Sequence, residues 1–355
     1  VSAARAAAAA AFQAAGGARL LRAASNRWAL DSDRGGLRLK RRSAPPFLVL
    51  IYHRVLPEPG PFMLDAIRPE RFDRQMKHLA AAYRPLPLDE LIERSRSGTV
   101  PKGAVAVTFD DGYADNFEHA FPILKRHGIP ATVFLVTGCV GTGRIPWHDQ
   151  VLLAFAATRR GEIHLPGVPA GAPPVPLETV DERRGAAFRA LASLKAMPDT
   201  ERLSAIEALR AETGGGDPAA ESRLMLDWDR VRVMRRAGIR FGSHTETHPI
   251  LSRVTSERAR EEVTRSKREI ERALEEEITL FAYPNGRAED YTDETVALLR
   301  EAGYRAAVTT NFGVNETGDD PFRWRRGTPW EGDPARFALK LAYYRLHAAP
   351  ARRIG

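Results

Sequence analysis

Cysteine is all but missing from this chain: Cys139 stands alone among 355 residues. A single thiol cannot form an intrachain disulfide, and the compartment is therefore not decided by cysteine usage. Cys139 follows Phe134-Leu135-Val136-Thr137-Gly138 with no histidine evident beside it, so it reads as a small packed residue rather than a nucleophile. Long hydrophobic runs are missing too. The alanine-rich start, residues 1 to about 21, lacks the Leu, Val and Ile density of a secretory or membrane segment and is expected to form a frayed or surface-lying helix. No other stretch approaches transmembrane length, which predicts a soluble chain or one with peripheral membrane contact. Although the net charge is +8, the arginines are spread along the chain rather than gathered in a basic block interleaved with aromatics. Nucleic-acid binding is not expected from that pattern.

What is present is an ordinary globular composition, 43% hydrophobic and 28% charged, able to bury a large core. Residues 1–45 read as an Ala/Arg-rich tail and linker ending at Pro45-Pro46, and residues 46–345 as one folded domain. Apolar strand-like runs at 47–52, 104–109, 131–136, 239–243, 278–283 and 304–309 alternate with amphipathic helical stretches, with 322–324 as a further short strand. This alternation predicts an α/β fold with a parallel sheet. Regularity lapses between about 144 and 222, where a Pro/Gly-rich stretch and a charged helix over 181–212 read as an insertion between units.

The strands end in polar residues. Thr108-Phe109-Asp110-Asp111-Gly112-Tyr113 delivers two adjacent carboxylates to a glycine turn, His244-Thr245-Glu246-Thr247-His248 closes a second strand, and Pro284-Asn285-Gly286 a third. In parallel α/β folds the C-terminal strand ends share one face, so these residues can converge. His-x-x-x-His puts both imidazoles on one side if the segment turns helically. Two imidazoles and one carboxylate would leave a divalent metal open to water and substrate, while a second carboxylate takes the proton. The strand's two-residue period gives Asp110 and Asp111 different directions. The same ligand set occurs in non-haem iron oxygenases, whose usual all-β scaffold does not fit the alternation here.

These motifs resemble the polysaccharide deacetylase superfamily, the NodB-homology group of carbohydrate esterase family 4. Residues 107–113 are similar to its first motif and 243–248 to its second, over a span of roughly Pro46 to Trp330 excluding the insertion. The resemblance implies a distorted (β/α) barrel of about seven units. It also implies that Asp110 is the catalytic base and that Asp111, His244 and His248 hold a divalent metal, most commonly Zn2+. Phe281-Ala282-Tyr283-Pro284-Asn285-Gly286 corresponds to the third motif, which puts Tyr283 and Asn285, with Tyr113, on the substrate and oxyanion side.

Two departures stand out. The commonest third motif carries an arginine where Ala282 stands, and Arg325 or Arg326 is the candidate replacement. The late Leu-x-His motif that supplies the general acid has no clear counterpart, since His347 falls in a terminal helix. By contrast, strand 47–52 ends in His53 at the wrong end of the chain, resembling the circularly permuted members, so His53 is assigned that role. Trp147, Trp324 and Trp330 are candidates for packing against sugar, though loop aromatics are more often ordinary packing residues. The expected reaction is hydrolysis of an N-acetyl group on a glycan. A small amide or O-acetyl ester deacylase and a silent carbohydrate-binding relative are the alternatives. By resemblance the site of action is the cell envelope. With no standard signal visible, the sequence itself predicts a cytoplasmic or membrane-peripheral protein, and oligomeric state is left open.

Overall fold

A computed structural model describes residues 16–346, apart from 27, 32–37, 42–43, 64, 170 and 330–332. The expectations for residues 1–15, Trp330 and His347 lie outside the described residues.

Seven parallel strands form the body: β1 (Leu48–Tyr52), β2 (Ala104–Phe109), β3 (Ala131–Leu135), β4 (Arg240–Ser243), β5 (Leu280–Ala282), β6 (Ala306–Phe312) and β7 (Trp324–Arg326). They pair in the order β7-β6-β5-β4-β3-β2-β1. Gly327, just past β7, then closes the ring onto β1, donating to the Val49 carbonyl at 2.8 Å and accepting from the Ile51 N–H at 3.1 Å. The barrel is distorted where β4 and β5 share only the Ser243–Phe281 register and where the β6–β7 register shifts between Val308 and Phe312. The expected α/β barrel is therefore what the chain adopts. Its first strand precedes the Asp-Asp strand in sequence and sits between it and the last one.

Side-chain alternation explains the two main cores. Leu48, Leu50 and Tyr52 of β1, with Val105, Val107 and Phe109 of β2, face outward under the helices. Val49, Ala104 and Ala106 fill the barrel interior with Phe134, Leu280, Val308 and Trp324. The same period of two carries Thr108 and Asp110 to the interior face.

A third apolar cluster belongs to a helical layer made of α3 (Trp147–Ala157), α4 (Val180–Ala196) and α5 (Asp199–Thr213), numbered after α1 (Gly17–Ser25) and α2 (Pro69–Ala82). The charged stretch read as one helix over 181–212 is two, broken at Met197-Pro198, where the ring disfavours helical backbone in the preceding residue. Two further helices matter below: α6 (Ser256–Leu274) and α7 (Pro334–Leu346). Among the described residues no helix is long and apolar enough to cross a membrane.

Candidate active site

The β1–β2 register Tyr52↔Phe109, extended by the Asp110 N–H donating to the Tyr52 carbonyl at 3.0 Å, sets His53 beside Asp110 at the barrel mouth. Asn116, three residues past Tyr113, donates its amide to the His53 carbonyl at 2.8 Å. Its neighbour Asp115 accepts from the Val55 N–H at 2.8 Å and from Arg54 Nε at 2.9 Å. The strand end carrying His53 is thus tied to the turn carrying the two aspartates.

Asp110 is 1% exposed and meets Arg326, 0% exposed, through two bonds of 2.7 Å, one to each carboxylate oxygen. Arg326 is itself fixed by the Thr309 carbonyl at 2.7 Å and Thr108 Oγ1 at 3.2 Å. Burial pushes the Asp110 carboxyl up, but the Arg326 guanidinium and then His244 outweigh it and leave the group below its ordinary range. Of the two arginines put forward from sequence, only Arg326 reaches Asp110. Arg325 turns away to the Val314 carbonyl and Asp319.

Asp111 leaves β2 with φ of 73°, followed by Gly112 at 82°, which swings its side chain away from Asp110 toward the histidines. A Cβ on residue 112 would lie 2.7 Å from a Leu135 methyl carbon, so both the backbone conformation and the space favour glycine. Asp111 Oδ1 lies 3.6 Å from His244 Nε2 and 3.4 Å from His248 Nε2, and the two imidazole centroids are 4.8 Å apart.

These histidines do not converge by helical turning, as the spacing suggested. Segment 244–248 is a tight non-helical turn in which Thr245 and His248 adopt φ of 69° and 62°. Glu262 on α6, fully buried, holds that turn by accepting from the Glu246 and Thr247 N–H groups, each at 2.8 Å, and from Thr247 Oγ1 at 2.6 Å.

The chemistry of this donor set fits a cation. His244 Nδ1 lies 2.7 Å from the Ala282 carbonyl, which can only accept, so Nδ1 carries the proton and Nε2 offers a lone pair. Burial depresses the His244 pKa to about 4 and holds His248 well below its ordinary value, with His244 and His148 adding to the latter. Asp111 Oδ1 is buried without a hydrogen-bond partner. Burial, then Asp110 and Asp149, push its carboxyl well above the usual range. Two neutral imidazoles and a carboxylate whose ligand atoms all lie within 4.8 Å would be reconciled by a divalent ion.

Other expected residues fall elsewhere. Tyr113 was expected on the substrate side. Instead it is 3% exposed, donates to Asp149 at 2.8 Å and lies 3.2 Å from His148 Nε2, with Arg54 over its ring at 4.6 Å. Tyr283 is completely buried, donates to the Phe322 carbonyl at 2.9 Å and stacks on Tyr291 at 4.1 Å. The Tyr113 ring packs with Val136, Cys139, Ile145 and Met225 while its hydroxyl stays among the polar groups beside Asp111, and Tyr283 lies wholly within the outer barrel core. Asn285 does sit at the mouth, with φ of 57° and its side-chain amide nitrogen buried without a partner. Trp324 lies in the barrel core against Phe47, and Trp147 is buried at the start of α3. Neither presents a face to a sugar. Cys139 is buried, and burial followed by Asp149 and Asp111 pushes its thiol up to about 12, in keeping with a packed residue.

Sequence reading passed over His148 and Asp149. His148 Nε2 lies 3.9 Å from Asp111 and 3.6 Å from Asp149, and its ring centroid is 4.9 Å from that of His248. Burial raises the Asp149 carboxyl to about 6 and lowers His148 to about 3. The available signal was Pro146-Trp147-His148-Asp149, a proline start followed by polar residues at the head of an otherwise apolar helix.

A closed parallel barrel with these polar side chains gathered at its mouth places the chain among (β/α)-barrel proteins. The sequence pattern of the polysaccharide deacetylase family matches residues 97–307, and the chain belongs to that family. Among curated proteins it is 23% identical over 210 residues to YxkH of Bacillus subtilis (strain 168), covering 59% of this chain and 46% of that protein. It is 38% identical over 77 residues to a poly-β-1,6-N-acetyl-D-glucosamine N-deacetylase of Staphylococcus aureus (strain MSSA476), covering 21% and 27%. The match thus spans about half the length of the first of these relatives and less of the second. Among solved structures the fold is shared with IcaB from Ammonifex degensii, at TM-score 0.56 and 22% identity over 84% of this chain and 97% of that one. It is also shared with the Streptococcus pyogenes deacetylase PplD, at 0.53 and 20% over 80% and 93%.

Proposed function

We propose that this chain hydrolyses N-acetyl groups on an amino-sugar polysaccharide or glycan, with residues 46–345 as the catalytic domain and 144–222 as an elaboration of it. The observation that carries the reading is the buried Arg326–Asp110 pair beside the Asp111–His244–His248 cluster. It supplies an ionised carboxylate next to three metal-ligating atoms. The name of the Staphylococcus aureus relative supports a β-linked N-acetylglucosamine polymer as the substrate class, and an envelope polysaccharide would place the enzyme at the cell envelope.

Asp111, His244 and His248 would hold a divalent ion, with Zn2+ suited to two imidazoles and one carboxylate. When bound, such an ion polarises the amide carbonyl and lowers the pKa of a coordinated water. Asp110, kept ionised by Arg326, accepts the proton of the attacking water. The main-chain N–H at Asn285 faces the developing oxyanion, held by a turn in which Gly286 N–H donates to the Pro284 carbonyl at 2.7 Å. His53 then protonates the departing amine, which is a poor leaving group as an anion.

The test is acetate release from N-acetylglucosamine oligomers with and without a chelator, alongside Asp110→Asn. Chelator-sensitive release that disappears in the variant supports the reading. Activity confined to O-acetyl esters or small amides would move it to the deacylase alternative, and no release from any acetylated glycan would end it.

A further inference from the structure

The turn that carries His248 is strained. Left-handed backbone at Thr245 and His248 costs a non-glycine residue about 1 kcal/mol or more and persists only where neighbours over-determine it. Glu262 supplies one side of that restraint through the Glu246 and Thr247 amides. The Thr137 and Gly138 N–H groups hold the Thr245 and Glu246 carbonyls at 3.1 and 2.8 Å, and Thr245 Oγ1 accepts from the His248 N–H at 3.0 Å, while the His248 carbonyl is held from outside the barrel. Trp147, the first residue of α3, donates its indole Nε1–H to the His248 carbonyl at 3.1 Å.

That indole is firmly seated. It is 3% exposed and packs in the core of the helical layer with Val151, Phe155 and Leu191. Arg202 of α5 lies over its ring at 5.0 Å, is itself 1% exposed, and is anchored by Asp199. The ring's only polar atom therefore points from a rigid apolar cluster at the main chain of a residue whose imidazole faces Asp111. A tryptophan needed for volume alone would not have to orient its N–H in this way.

We propose that Trp147 is a positioning residue for the metal site, so that the helical layer contributes to the support of His248 by holding its carbonyl. Without the indole N–H, the His248 carbonyl loses its restraint and the strained turn relaxes, widening the spacing of the two imidazoles. This rests on Asp111, His244 and His248 being the metal-holding set. Loss of a hydrogen-bonding group behind a ligand typically weakens metal affinity by about 10–100-fold.

The experiment is a Zn2+ titration of the whole chain against a chromophoric chelator, for the parent and for Trp147→Phe, with melting of the metal-free proteins in parallel. A second form replaces the Trp147 indole by benzothiophene, which keeps the shape and removes only the N–H, so a fold lost to reduced volume cannot obscure the result. Affinity should fall by about 10–100-fold in both forms, with the metal-free melting temperature of the benzothiophene form unchanged. Parent-like affinity in the benzothiophene form would overturn the proposal. A parent that binds no Zn2+ would instead remove the metal-site reading beneath it, and the two failures are told apart by the parent titration alone.

Discussion

Arg326 grips both carboxylate oxygens of Asp110 at 2.7 Å from a strand on the far side of the barrel seam, 216 residues along the chain. Of the two arginines put forward for the role left open where Ala282 stands in the third motif, it is the one that reaches Asp110, and we propose it for that role. Ala282 keeps a different task, since its carbonyl orients His244. The barrel's closure through Gly327, the residue after Arg326, brings β7 against β1 and makes the pair possible.

Removing the guanidinium leaves a buried carboxylate without its counter-charge, a change that costs about 3–5 kcal/mol in comparable pairs. Arg326→Ala should therefore lower the melting temperature and reduce kcat by at least about 100-fold. Arg326→Lys keeps the charge but not the fork, and should retain the fold with an intermediate loss of kcat. Arg325→Ala, which removes a partly buried pair with Asp319 away from Asp110, should leave kcat within about twofold. Parental kcat in Arg326→Ala would show that Arg326 does not support Asp110 in turnover.

Metal should stabilise the fold as well as serve the reaction. Burial, with Asp110 and Asp149, makes Asp111 an uncomfortable anion in the free protein, and a cation relieves that. At a free Zn2+ concentration about 100 times the dissociation constant, mass action supplies about 2.7 kcal/mol. For a domain of this size the melting temperature should rise on the order of 5 °C. Asp111→Asn should abolish that shift, and scanning calorimetry with and without Zn2+ or chelator reads it directly. A shift that persists in Asp111→Asn would place the ion elsewhere.

The four residues Asp110, Asp111, His244 and His248 were legible because each pair lies in one short motif at the end of a buried strand. The barrel was legible because strand and helix periodicities alternate over most of its length. Arg326 could be narrowed only to one of two neighbours, since a three-residue strand offers too little pattern to say which side faces inward. The surroundings of the tyrosines were not legible, because a phenol in a motif does not reveal which way its hydroxyl points. Tyr113 and Tyr283 both turn into packed surroundings. Trp147 was visible only as an aromatic, because its partner is a main-chain carbonyl 101 residues away.

His53 can be separated from the rest of the machinery by its leaving group. If it protonates the departing amine, His53→Ala should reduce kcat/KM on an N-acetylated sugar oligomer by about 100-fold, in the usual range for a general acid. On an aryl acetate, whose phenolate leaves unprotonated, the same variant should lose little. Its backbone stays tied by Asn116, so the change acts through the side chain alone. Equal losses on amide and aryl ester would mean that His53 has another role.

Far from the mouth, His78 on α2 should make stability depend on pH. Its ring packs against Tyr83 and Phe337 at 5.9 and 5.8 Å, and its Nε2 is buried without a hydrogen-bond partner. Burial, with Arg22 of α1 adding to it, lowers the pKa from 6.5 to about 4. Because the folded value lies below the unfolded one, the unfolded chain binds the proton first as pH falls. The contribution to stability is therefore complete above pH 6.5, shrinks as pH drops through the window down to about 4, and is gone below it. His78→Leu keeps an apolar side chain between Tyr83 and Phe337 and removes the titration. The melting temperature of the variant minus that of the parent should grow as pH is lowered from about 7 to about 5. A difference that stays constant over that interval would mean that His78 is not held neutral in the folded chain.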